Sequence, residues 1–240
     1  MSSEVQLPGE DFLVFKPDVT WNVIKLIFQQ PVVRGFQMRI YGRERMPATG
    51  PAVLASNHIA GIDVVLIAAA SPRHLRYMAK QELFTYNAAL TGFLRRAGVF
   101  TVRRGESDTD ALRQARTILR AGKVVGIFAE GTRQPTEEIG KVMPGAALIA
   151  LSEGVPIVPC VIQGSIHIKD DLFHPVTVVF GEPMRYPKGE SRAERHLVRQ
   201  ATADLHAELE RLQRFAQSAI RAGRPKRALP PSSILLEAGS

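Results

Sequence analysis

Cysteine is almost missing from this 240-residue chain, where Cys160 stands alone. An internal disulfide and a cysteine-built metal cluster are therefore excluded, and Cys160 is expected to be a small core residue rather than a nucleophile. A reducing, cytoplasmic compartment is compatible with that usage. Long apolar runs are missing too. No stretch reaches the roughly 18 uninterrupted apolar residues that a spanning helix needs. The most apolar helical candidate, residues 19–28, is interrupted by Asn22 and Lys25 and meets Pro31. The opening residues, MSSEVQLPGEDF, lack the basic start and apolar core of a secretory signal. The expectation is a protein that does not cross a membrane but is able to lie on one. Negative charge is scarce: 31 Lys and Arg stand against 23 Asp and Glu, a net charge of +8. That surplus points to an anionic partner, whether phosphate, nucleic acid or acidic lipid. A nucleic-acid motif or an aromatic-rich basic patch is also lacking, so nucleic acid is not the expected partner. Neither a metal nor a cofactor is expected.

What is present reads as strands alternating with helices. Residues 1–16 form a polar arm. Pro17-Asp18 opens a helix carrying Trp21, Val23, Ile24, Ile27 and Phe28 in register, and Pro31 is expected to break or kink it. Packed on the domain it would be an ordinary helix. At a lipid interface it would turn its apolar side to the membrane and Lys25, Arg34 and Arg39 to phosphates. Strands are expected at 36–41, 52–55, 76–78, 99–102, 124–128, 156–162 and 176–180. Helices are expected at 64–70, 80–97, 108–121, 145–152 and 191–222, with Gly122 and Gly154 as stops. This alternation predicts an α/β fold with a mixed, largely parallel central sheet flanked by helices. Three regions follow: an N-terminal arm and interfacial helical element at 1–35, the main domain at 36–222 including a basic C-terminal helix, and a loose tail at 223–240 rich in Pro, Ser and Arg.

His58 and Asp63 stand five positions apart where a strand gives way to a helix. On one straight helix they would sit roughly 140° apart around the axis, and in one strand they would face opposite sides. They meet only across a turn, and Gly61 between them can supply one. Such a pair suits proton transfer. A neutral imidazole takes the proton of an attacking hydroxyl, and a carboxylate on the other ring nitrogen fixes the tautomer and stabilises the imidazolium. The adjacent helix start could offer N–H groups to an oxyanion. The plainer alternative is that His58 caps the turn and Asp63 caps the next helix. Further along, Glu130-Gly131-Thr132-Arg133 follows an apolar strand. Gly131 permits close backbone approach, and Arg133 is able to hold a phosphate through two parallel hydrogen bonds. Glu130 either pairs with Arg133 or meets the substrate's polar end.

Four blocks occur in order: Asn57-His58-x4-Asp63; Gly98-Val99-Phe100-Thr101-Val102-Arg103-Arg104; Phe128-Ala129-Glu130-Gly131-Thr132-Arg133; and Val155-Pro156-Ile157-Val158-Pro159-Cys160. With these, the chain resembles the glycerolipid acyltransferases of the 1-acylglycerol-3-phosphate acyltransferase type over roughly residues 36–182. Lys80-Gln81-Glu82-Leu83-Phe84 looks like that family's lysine-containing segment. The resemblance implies transfer of a fatty acyl group from acyl-CoA or acyl carrier protein to the free hydroxyl of a lysophospholipid. It implies His58 as general base, Asp63 as its orienting partner and direct attack without an acyl-enzyme. It further implies substrate phosphate binding by Glu130, Gly131, Thr132, Arg133, Arg104 and Arg103, with Asn57, Lys80 and Lys141 as additional candidates. N-terminal membrane-docking helices, a surface with anionic lipids and a peripheral place on the cytoplasmic face of the cell membrane are also implied. Three departures leave substrate preference open: Arg103 stands where aspartate is common, Ala129 where proline is, and Gln134 where serine is. The same chemistry on a lyso-ornithine lipid, lysocardiolipin or a glycolipid is the nearest alternative, and a non-enzymatic nucleic-acid-binding protein the remote one.

Overall fold

The computed structural model describes residues 27, 29–80, 100–102, 108–187, 193–226, 228 and 230. Among the described residues seven strands form one sheet: β1 (Arg39–Tyr41), β2 (Ala52–Ser56), β3 (Leu75–Lys80), β4 (Phe100–Val102), β5 (Val124–Phe128), β6 (Ile157–Gln163) and β7 (Thr177–Phe180). Their spatial order is β1-β7-β6-β2-β5-β3-β4. β6, β2, β5, β3 and β4 run parallel. β7 is antiparallel to β6 and parallel to β1, so the two strands at that edge run the other way. The central strands are apolar on both faces because both are covered. Along β2, Val53 and Ala55 join one core cluster while Ala52 and Leu54 join the other.

Helices cover both faces. The described helical residues 29–35 (α1) and the helix Asp63–Ala70 (α2) cover one face. On the other lie α3 (Asp108–Arg120), α4 (Gly145–Glu153) and α5 (Ala193–Arg221). Helix α5 buries Val198, Ala201, Leu205, Leu209, Leu212, Ala216 and Ala219, a stripe at steps of three and four. No described helix is long and apolar enough to cross a membrane.

Three expectations need correction. Pro31 does not end its helix, which continues to residue 35. The stop comes from the backbone: Met38 N–H bonds to Val33 O at 2.8 Å and Gln37 N–H to Arg34 O at 3.1 Å, with Gln37 at φ 41°. This is a left-handed helix cap with its paired bonds. Because the cap uses residues 36–38, β1 begins at Arg39 and not at 36. The stretch after α5 is not loose where described. Tyr41 Oη donates to Pro225 O at 2.8 Å, Arg39 Nε to Arg224 O at 3.2 Å and Arg45 Nη2 to Pro230 O at 2.8 Å. Those bonds tie it to the edge of the sheet. The helix expected at 80–97 and most of the N-terminal arm lie outside the described residues, and Lys80 itself closes β3.

Candidate active site

The site is built where β2 and β5 end side by side. These strands are parallel neighbours, with Ser56 opposite Phe128, so the chain leaves both at the same end of the sheet. That is the usual location for chemistry in open α/β sheets. Beyond the ladder, Asn57 carries the pairing on with its side chain. Its Nδ2 donates to Ile162 O at 3.0 Å and its Oδ1 accepts from Ile162 N–H at 2.9 Å. The amide thus stands in for a backbone peptide while the chain turns away.

The turn that follows brings His58 and Asp63 together. His58 Nδ1 lies 3.1 Å from Asp63 Oδ2. The same oxygen accepts the N–H groups of Ile59 at 2.6 Å and Ala60 at 2.8 Å. Asp63 N–H closes the turn on Ala60 O at 3.0 Å. The carboxylate is fully buried, while the His58 side chain keeps 16% of its surface. A carboxylate can only accept, so Nδ1 is the donor and Nε2 carries the lone pair. Asp63 is the first residue of α2, whose cap position is Ile62 with no side-chain cap bond, so it does not cap that helix; its Oδ2 instead organises the turn and orients the imidazole. Ile59 and Ala60 N–H are thus engaged by Asp63.

Glu130 bonds to backbone and not to Arg133. Its Oε2 accepts His58 N–H at 2.9 Å and its Oε1 accepts Gly140 N–H at 2.7 Å. The side chain is buried, and that burial pushes its carboxyl above the ordinary glutamate range against the two backbone bonds. The carboxylate therefore locks the loop after β5 to the turn after β2, and Gln134 N–H to His58 O at 2.8 Å adds a second tie. No ion pair links Glu130 to Arg133 among the described residues. Gly131 sits at φ 70°, and its N–H bonds Phe128 O at 3.0 Å. Thr132, Arg133 and Lys141 are exposed. Arg133 reaches back over the turn: a Cβ added to Gly61 would lie 4.0 Å from Arg133 Nη1. A cationic fork thus stands beside Gly61 of the turn, suited to an anionic group there. Arg103 and Arg104 lie outside the described residues, as does the side chain of Lys80.

Two residues of the site were not foreseen. The His58 ring stacks on Phe128, with centroids 3.7 Å apart and planes 12° apart. Tyr77 backs Phe128 at 5.2 Å and 27°. The available signal was Gly126 in an otherwise apolar strand, since Gly126 is the β5 partner of Tyr77. A Cβ there would come within 2.7 Å of the Tyr77 ring. Cys160 is buried on β6, and burial pushes its thiol upward, which suits a packing residue.

Residues 37–163, which hold both members of the His58–Asp63 pair and the Glu130 loop, match the family model described as Acyltransferase. Over 166 residues the chain is 32% identical to the 1-acyl-sn-glycerol-3-phosphate acyltransferase of Bacillus subtilis, covering 68% of this chain and 79% of that protein. It is 28% identical over 134 residues to a chloroplastic 1-acyl-sn-glycerol-3-phosphate acyltransferase of Arabidopsis thaliana, covering 54% of this chain and 37% of that one. The fold is similar to the crystal structure of the 1-acyl-sn-glycerophosphate acyltransferase PlsC from Thermotoga maritima, with a TM-score of 0.59, 24% identity and coverage of 82% of this chain and 86% of that one. The chain therefore belongs to the acyltransferase family, among its 1-acylglycerol-3-phosphate acyltransferases.

Proposed function

We propose that this enzyme acylates the free hydroxyl of 1-acylglycerol-3-phosphate, with acyl-CoA or acyl carrier protein as donor, to give phosphatidic acid. The observation that carries the reading is the His58–Asp63 contact, in which one buried carboxylate oxygen holds the imidazole and two backbone N–H groups. His58 Nε2 takes the hydroxyl proton as the oxygen attacks the thioester carbonyl. Asp63 stabilises the imidazolium that results. The tetrahedral intermediate then collapses, the C–S bond breaks, and the imidazolium returns its proton to the departing thiolate. The hydroxyl is the nucleophile, so no acyl-enzyme forms. Arg133, exposed beside the turn, holds the acceptor's phosphate, and Thr132 and Lys141 lie on the same loop to assist. Glu130 acts through the backbone, by fixing the loop against His58.

The acceptor is a lipid, and we place the enzyme on the cytoplasmic face of a membrane as a peripheral protein. Exposed Leu172 and Phe173 support that placement. Their loop joins β6 to β7 at the end of the sheet where β2 delivers His58, and Phe173 packs against Gly35 and Phe36 at the end of α1.

The test is thioester-dependent thiol release with lysophosphatidate and a panel of other lyso-acceptors. His58→Ala is expected to lose about 10³-fold or more of the rate with an unchanged circular dichroism spectrum. A fully active, folded His58→Ala protein would end the general-base reading. Preference for a lyso-ornithine lipid or glycolipid over lysophosphatidate would end the assignment of the acceptor.

A further inference from the structure

A hydrogen bond alone holds an imidazole loosely. The His58–Asp63 contact fixes one ring nitrogen, but a bond at 3.1 Å tolerates about 30° of tilt with little loss. The direction of the Nε2 lone pair is set by the ring plane, and that plane needs a second restraint. Phe128 supplies one. Its ring lies nearly parallel to the imidazole, 12° between planes at 3.7 Å between centroids. Phe128 is itself the last residue of β5, anchored by the β2 ladder through its pairing with Ser56. Behind it Tyr77 is fully buried and stacked at 5.2 Å. Tyr77 in turn fits only because its β5 neighbour is Gly126, where a Cβ would press to 2.7 Å on the ring. The restraint therefore runs Gly126, Tyr77, Phe128, His58, from the floor of the sheet to the imidazole.

We infer that Phe128 is a positioning residue for the proton transfer at His58, setting the plane of the imidazole while Asp63 sets its edge, with Tyr77 as the backing of Phe128. The inference rests on His58 acting as the base. It gives Phe128 two effects. The fixed plane aims Nε2 along one direction, and displacement of a reacting group by about 1 Å can cost roughly 10²-fold in rate. The aromatic face also attracts the imidazolium formed during attack more than the neutral ring, as a cation–π contact. Both effects act on the chemical step and neither touches the acceptor's phosphate.

The experiment compares Phe128→Leu, Phe128→Met and Phe128→Tyr with wild type and with His58→Ala. Turnover of lysophosphatidate and acyl-CoA is followed together with proton NMR of the histidine rings. Wild type is expected to show ring-proton signals shifted upfield by the stacked phenyl ring and absent from His58→Ala. In Phe128→Leu those signals move downfield and kcat falls about 10- to 100-fold, while KM for the acceptor changes less than about threefold. Phe128→Tyr, which keeps the stacking face, restores the upfield signals and most of kcat. A folded Phe128→Leu or Phe128→Met enzyme with wild-type kcat, beside an inactive His58→Ala, overturns the inference and leaves the base intact. An active His58→Ala removes the base reading instead. Should neither aliphatic variant fold, the wild-type spectrum decides, since His58 signals at unshifted positions overturn the stacked geometry.

Discussion

Asn57 and Glu130 carry their charge or polarity inward, to backbone, and this separates them from the residues around them that face solvent. Asn57 bonds both polar groups of Ile162 and is buried. Asn57→Ala leaves a buried N–H and a buried C=O without partners, at about 1–3 kcal/mol for each unsatisfied group. A loss of roughly 2–6 kcal/mol in urea unfolding is expected on that basis; unchanged stability would mean the Ile162 groups find other partners. Glu130 gives a pH-dependent prediction. Burial raises its carboxyl in the folded chain, so the fold retains that proton to higher pH than the unfolded chain does. Its contribution to stability is then complete below the ordinary glutamate range and declines as pH rises through the raised value. Glu130→Gln cannot titrate, and its amide presents one acceptor where two N–H groups need two. The variant is expected to be less stable than wild type throughout, with the gap narrowing as pH rises through that window. Unfolding curves over a pH series measure it, and a gap that widens with pH contradicts the sign.

Elements were legible where the sequence pattern and the local physics agree. The apolar runs at 124–128 and 156–162, each bounded by a glycine or proline, read as buried strands, and the structure has strands at Val124–Phe128 and Ile157–Gln163. Three things were hidden. The reversal of β7 depends on the connection after Gly164, whose φ of 93° and close approach to Pro175 O set a tight bend that no periodicity reports. The late start of β1 depends on Gln37 adopting a left-handed conformation, which glutamine seldom marks in sequence. Gly126 is the seat of Tyr77 across the ladder, a pairing that the apolar run around it does not report. Gly126→Ala tests that. The added methyl meets a fully buried ring and the sheet beneath it, so overpacking of about 1–3 kcal/mol is expected. Thermal unfolding of Gly126→Ala reads this, and a wild-type midpoint would show that the ring has room to move.

At the scale of the whole molecule, the parallel order of β6, β2 and β5 gathers three chain ends at one edge, and β1 and β7 begin there because they run the other way. His58, the Glu130 loop and the loop bearing Leu172 and Phe173 consequently share one end of the sheet. The sequence made the meeting of His58 and Asp63 across a turn legible because their spacing is local, although Gly61 is not at positive φ and the turn does not draw on its left-handed freedom. It concealed the assignments of Asn57 and Glu130, whose partners lie 105 and 72 residues away along the chain. The apolar tip was concealed for another reason: Leu172 and Phe173 are ordinary residues until the fold leaves them about 60% exposed beside α1. Lys169 and Arg34 are exposed nearby, but so are Asp170 and Asp171, so net charge does not explain attraction of this tip to a bilayer. Insertion of the apolar side chains does, at up to about 1.5–3 kcal/mol for each one fully buried. A Leu172→Ser, Phe173→Ser double variant should therefore float with liposomes roughly 10- to 100-fold less well on that scale, while its unfolding midpoint falls only slightly, because both side chains are largely exposed and only the packing of Phe173 on Gly35 and Phe36 is lost. The loss should persist at high salt, where screening weakens headgroup attraction but not apolar burial. Activity on lysophosphatidate below its aggregation limit should remain, since neither residue belongs to the machinery proposed at His58 and Arg133. Equal flotation of the variant and wild type would place the membrane contact elsewhere on the molecule.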